Sequence, residues 1–150
     1  MKTFYPFHDS AHIRDVVVHC SDPRFQEAFQ SFIRDELKIL HPTPIILPGG
    51  VSDVGVDMTH PHLMKAFREK VTLMLSLAEH PRLVLINHDG CKAYRAFHPK
   101  HTDISRKQHD DLRKAADFFA LVSNVKDTEI YMARWDEAWP TDQSVYFEKI

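Results

Sequence analysis

Cys20, His88 and Cys91 close two short apolar runs, Val16-Val17-Val18-His19-Cys20 and Leu83-Val84-Leu85-Ile86-Asn87-His88, the second continuing through Asp89-Gly90 to Cys91. Two thiols and an imidazole are ligands of the softness zinc prefers. Three protein ligands also leave one tetrahedral position for water or substrate, which is the catalytic arrangement rather than the closed structural one. Two plainer readings compete: a pair of buried thiols, or one disulfide. A disulfide is disfavoured in a chain without a secretory signal, and buried thiols alone leave the attached Asp-x-Arg and His-x-x patterns unexplained. Asp22 and Arg24 follow Cys20 at alternate positions, which share a side if the chain leaves the strand extended. Asp22 then stands beside the open position as a ligand or as a hydrogen-bond acceptor, and Arg24 holds it by a charge-assisted contact that keeps it ionised. The simpler use of Asp22 is as a helix cap, with Arg24 a solvated side chain of the first turn.

The surrounding pattern supplies the elements that position these groups. Asp15–Cys20 reads as a buried strand. Asp22-Pro23 looks like a helix start, followed by Phe25, Phe29, Phe32, Ile33 and Leu37 on one apolar face. A second strand is expected at Ile45–Leu47 and a second helix at Leu63–Glu79. The third strand runs from Arg82 to Asn87, and a basic, histidine-bearing loop from Tyr94 to Thr102. A third helix, capped by Asp103 or Ser105, reaches about Val122, and the fourth strand is Glu129–Arg134. Val145-Tyr146-Phe147 reads as an edge strand or a docking segment. Alternating strands and helices predict a three-layer α/β/α domain over residues 1–150, with a mainly parallel four-stranded sheet in the order 2-1-3-4 and a possible extra edge strand from the tail. The first and third strands flank the topological switch point, where such sheets bind ligands, so Cys20, His88 and Cys91 converge there.

Other features narrow the function. The formal net charge of −2 and the lack of like-charged blocks point to neither nucleic acid nor an anionic membrane. No stretch reaches the ~18 apolar residues of a membrane span, and the first residues lack a signal-peptide pattern, so a soluble cytoplasmic protein is expected. Gly49-Gly50 matches neither the dinucleotide fingerprint nor the Walker pattern, and a tight turn is its expected use. His60, His62, His98 and His101 read as solvent-exposed loop histidines. His19 reads as a hydrogen-bonded core residue on the other side of the sheet.

Cys20-x-Asp22-x-Arg24 followed by His88-x-x-Cys91, each after a strand, resembles the zinc signature of the beta-class carbonic anhydrases. The resemblance covers Asp15 to about Trp135. It implies Zn2+ bound by Cys20, His88 and Cys91, with Asp22 and Arg24 as a catalytic dyad. The implied reaction is reversible hydration of carbon dioxide to bicarbonate and a proton by zinc-bound hydroxide. It also implies assembly as a homodimer or a multiple of dimers, to which Trp135, Trp139, Tyr146 and Phe147 are expected to contribute. Pro23, Leu47-Pro48-Gly49-Gly50, Lys92 and a short lead-in differ from the usual family pattern and mark a small or divergent branch. Three other readings are weighed beside it. One is a zinc hydrolase acting on a CO2-like molecule such as carbonyl sulfide or carbon disulfide. Another is a non-catalytic zinc-binding interaction domain, and the third a nucleotide-binding module built on Gly49-Gly50.

Overall fold

The computed structural model describes residues 1–55, 60–135 and 145–150. Its centre is a five-stranded sheet in the order β2-β1-β3-β4-β5. The strands are β1 (Asp15–Cys20), β2 (Thr43–Leu47), β3 (Arg82–His88), β4 (Asp127–Trp135) and β5 (Val145–Lys149). The first four pair in parallel, with Val17 opposite Val84 and Leu85 opposite Ile130, and β5 pairs antiparallel to β4. The predicted 2-1-3-4 order holds, and the extra edge strand allowed for the tail is present as a fifth strand. β4 extends to Trp135, which offers Val145 a partner, with Phe147 opposite Ala133. β2 begins at Thr43 rather than Ile45, taking in Pro44. That proline is tolerated because β2 is an edge strand.

Unbroken runs of Val, Leu and Ile make β1 and β3 buried on both faces. Val16, Val18, Leu83, Leu85 and Met132 pack with Phe67, Val71 and Leu75 of α2 (Pro61–Ser76) and with Leu112, Ala115 and Phe119 of α4 (Ile104–Val122). Their neighbours Val17, Val84, Ile86 and Ala133 face the other way. These pack with Phe29 of α1 (Gln26–Ser31) and with Phe32 and Ile33 of the π-helical turn that prolongs it. Helices therefore cover both faces, as the alternating pattern predicts. α2 starts two residues earlier than expected because Pro61 occupies its first turn, where the missing N–H costs nothing.

Phe147 stacks on Phe32 with ring centroids 3.9 Å apart and joins the core under α1. The strand pairing of β5 turns that ring toward Phe29 and Phe32, where it is partly buried. Trp135 and Tyr146 keep about half of their surface in solvent, and Trp139 lies outside the described residues. No helix among the described residues is long and apolar enough to cross a membrane.

Candidate metal centre

Parallel pairing puts the carboxyl ends of β1 and β3 side by side, which delivers Cys20 and His88 to one edge of the sheet. A turn through Gly90 (φ +63°) brings Cys91 back over them. A Cβ at Gly90 would meet nothing within 4 Å among the described residues, and the left-handed backbone itself favours glycine there. Sγ of Cys20, Sγ of Cys91 and a ring nitrogen of His88 all lie within 4.8 Å of one another. All three residues are buried.

The donor set fits a metal ion on three counts. The two sulfurs are 3.8 Å apart, matching the separation of about 3.8 Å that two Zn–S bonds of about 2.3 Å subtend in a tetrahedron. Nδ1 of His88 lies 2.8 Å from the Asp89 carbonyl and donates to it, which leaves the lone pair on Nε2. That Nε2 is buried with no hydrogen-bond partner among the described residues, a costly state unless something coordinates it. These residues can hold a metal ion and are compatible with zinc.

The Cys91 thiol and the Gly49 N–H, 3.3 Å from Sγ, hold Cys20 well below the ordinary thiol range against the opposing effect of burial. The Cys20 thiolate and burial push Cys91 upward. The two shifts have one cause, a proton shared between sulfurs 3.8 Å apart, which disfavours a second thiolate beside the first.

Asp22 and Arg24 form the contact their spacing predicts. Arg24 Nε donates to Asp22 Oδ1 at 3.1 Å and Nη2 to Oδ2 at 2.7 Å, a bidentate pair. Nη2 also reaches the Gly90 carbonyl at 3.0 Å, tying the dyad to the loop that carries Cys91. The guanidinium holds the Asp22 carboxyl below its ordinary range. The capping role is displaced: Asp22 Oδ1 accepts from the Arg24 N–H at 3.0 Å, closing a turn ahead of α1, whose own N-cap is Phe25. Asp22 Oδ2 points toward the ligand group, 4.0 Å from His88 Nε2. Cys20, Asp22, Pro23, Arg24, Cys91 and Lys92 line a cavity of about 340 Å³ on this edge.

Several supporting groups are not apparent from motif spacing. Lys92–Phe97 is a short helix, α3, that runs into the Tyr94–Thr102 stretch expected to be loop, and the Cys91 sulfur caps it by accepting the Tyr94 N–H at 3.4 Å. Cysteine lies outside the usual capping set, so the start carries no standard signal. Gly49-Gly50 does more than turn. Gly49 donates to Cys20, and a Cβ on Gly50 would come within 2.8 Å of Asn87 Oδ1, so the loop packs onto the end of β3. His98 is buried rather than exposed, because it follows α3 and packs on the Tyr94 ring at 5.3 Å. His19 is buried as expected, its Nδ1 2.9 Å from the Cys20 carbonyl. His60, His62, His98 and His101 belong to no close group of three ligands among the described residues. Comparison with known protein families, curated proteins and solved structures finds no match to this chain.

Proposed function

We propose that the chain is a zinc enzyme of the beta-carbonic-anhydrase kind, catalysing the reversible hydration of carbon dioxide to bicarbonate and a proton. The observation that carries this reading is the Asp22 carboxylate, held by Arg24 and standing 4.0 Å from Nε2 of His88. A site built only for stability has no use for an ionised, oriented carboxylate beside its ligands.

Cys20, His88 and Cys91 would hold the zinc. When bound, zinc supplies Lewis acidity, which lets water ionise far below its own pKa. Asp22 would accept a hydrogen bond from the O–H of the attacking hydroxide and so aim its oxygen lone pair at carbon dioxide, the proton released when water ionises passing to solvent. Arg24 keeps that carboxylate ionised, an acceptor without a proton of its own. Pro23 and Ala93 give the cavity apolar wall suited to a neutral linear substrate, and Arg24 and Lys92 give it positive charge suited to the bicarbonate product. The test is stopped-flow carbon dioxide hydration by protein of measured zinc content. Catalysis that follows zinc occupancy supports the reading. Fully loaded protein no faster than buffer overturns it.

A further inference from the structure

Two glutamine amides, one from each helical layer, reach the backbone at the two strand ends that carry the metal ligands. Gln26 of α1 donates through Nε2 to the Cys20 carbonyl at 2.9 Å and to the Asp22 carbonyl at 2.7 Å. Its two N–H bonds thus bridge the turn linking a ligand to the dyad, which a hydroxyl with one proton could not do. Nδ1 of His19 reaches the same Cys20 carbonyl, filling its second lone pair. From the opposite layer, Gln108 of α4 donates through Nε2 to the His88 carbonyl at 2.8 Å, and its main-chain carbonyl accepts from Asn87 Nδ2 at 3.3 Å. Gln108 is 1% exposed. These carbonyls lie at the last ladder positions of β1 and β3, where Ser21 N–H still donates to the Leu47 carbonyl and Asp89 N–H to the Ala133 carbonyl before the chain turns away, so each glutamine adds an anchor at the final ladder rung.

We propose that Gln26 and Gln108 are positioning residues of the metal site. They act through the backbone of the ligand-bearing turns and have separable effects. Gln108 fixes the end of β3, and with it the direction of His88 Nε2. Gln26 fixes Asp22 relative to Cys20. Cys20 itself has further anchors in the β1 ladder and the Gly49 N–H, so losing Gln26 disturbs the carboxylate more than the metal. The role of Gln26 rests on the function proposed above, whereas that of Gln108 concerns metal binding alone.

The experiment compares Gln26→Leu and Gln108→Met, each close in volume to glutamine, with the unaltered full chain. Zinc affinity is measured by chelator competition, the ligand field by the absorption of cobalt-substituted protein, and turnover by carbon dioxide hydration across pH. Folding is checked by circular dichroism, with Gln26→Asn and Gln108→Leu in reserve for a variant that fails to fold. Gln108→Met is expected to lose ~10–100-fold in zinc affinity with shifted cobalt bands, the usual range for an outer-shell contact. Gln26→Leu is expected to keep zinc within ~3-fold, keep its cobalt bands, and lose ~10-fold or more in kcat with an altered pH profile. Parental affinity and spectrum in Gln108→Met overturn its assignment, and a parental rate and pH profile in Gln26→Leu overturn the other. If zinc-loaded parent protein does not hydrate carbon dioxide, the proposed function and the Gln26 assignment fall together, while the affinity and cobalt measurements still decide Gln108.

Discussion

Asp22 Oδ2 stands 2.7 Å from Arg24 Nη2 and 4.0 Å from His88 Nε2, a carboxylate committed to a guanidinium yet facing the ligand group. Removing its charge should leave the metal and take away the chemistry. Asp22→Asn is expected to retain zinc but lose at least ~100-fold in kcat, within the range for one positioned acid–base group. Arg24→Ala frees the carboxylate and should favour its direct ligation of the metal. Cobalt-substituted Arg24→Ala is therefore expected to show altered absorption, while its zinc content stays at the parental level.

The ligand triad predicts a metal content that can be counted. Metal analysis should give about one zinc per chain, and Cys20→Ser or Cys91→Ser should lose most of it. Chelation should lower the melting temperature, since a ligand bound only by the folded state adds to its stability. Unchanged melting after complete removal of zinc would argue against the site.

Much of this site was legible because its ligands end runs that can only be buried strands. Val16-Val17-Val18 and Leu83-Val84-Leu85-Ile86 place Cys20 and His88 on neighbouring parallel strands, and strand alternation forces both to one edge. Gln26 and Gln108 were not legible, because a side chain that bonds to backbone leaves no paired residue type to recognise. α3 was hidden by its cysteine cap and six-residue length. The burial of His98 depends on that helix, so it was lost for the same reason. β5 was visible as three apolar residues but not as a fixed partner, since its register depends on where β4 ends.

Far from the site, Glu129 predicts an acid-dependent loss of stability. Burial raises its pKa, but hydrogen bonds from Tyr131, Arg82 and Lys149 outweigh that and bring it from 4.5 to about 2. A folded-state pKa below the unfolded one gives stability that is complete above about pH 4.5 and disappears as pH falls toward 2. That shift corresponds to at most ~3.4 kcal/mol, and partial solvent screening reduces the expected value to ~2 kcal/mol. Urea melts should show Glu129→Gln less stable than the parent by about this amount at neutral pH. The two curves should converge as the pH is lowered. A constant difference from pH 7 to about 3 would contradict the assignment.

Behind Cys91 the chain buries an ion pair whose two halves should respond unequally to mutation. Asp111 is 0% exposed and accepts from the Tyr94 hydroxyl at 2.6 Å and from Lys107. Burial, then the Asp111 charge, raises the pKa of Tyr94, so the phenol remains a donor. Lys107→Met strips the only cationic partner seen for Asp111 among the described residues. It leaves a carboxylate that cannot reach water, at an expected cost of ~3–5 kcal/mol. Asp111→Asn should cost less, ~1–2 kcal/mol, because the amide still accepts from Tyr94. The freed Lys107, already 10% exposed, can turn its flexible stem toward solvent. Combining Lys107→Met with Asp111→Leu should recover part of the single-variant loss, since no charge is then stranded. Equal losses in Lys107→Met and Asp111→Asn would show that Asp111 is not held as a buried anion.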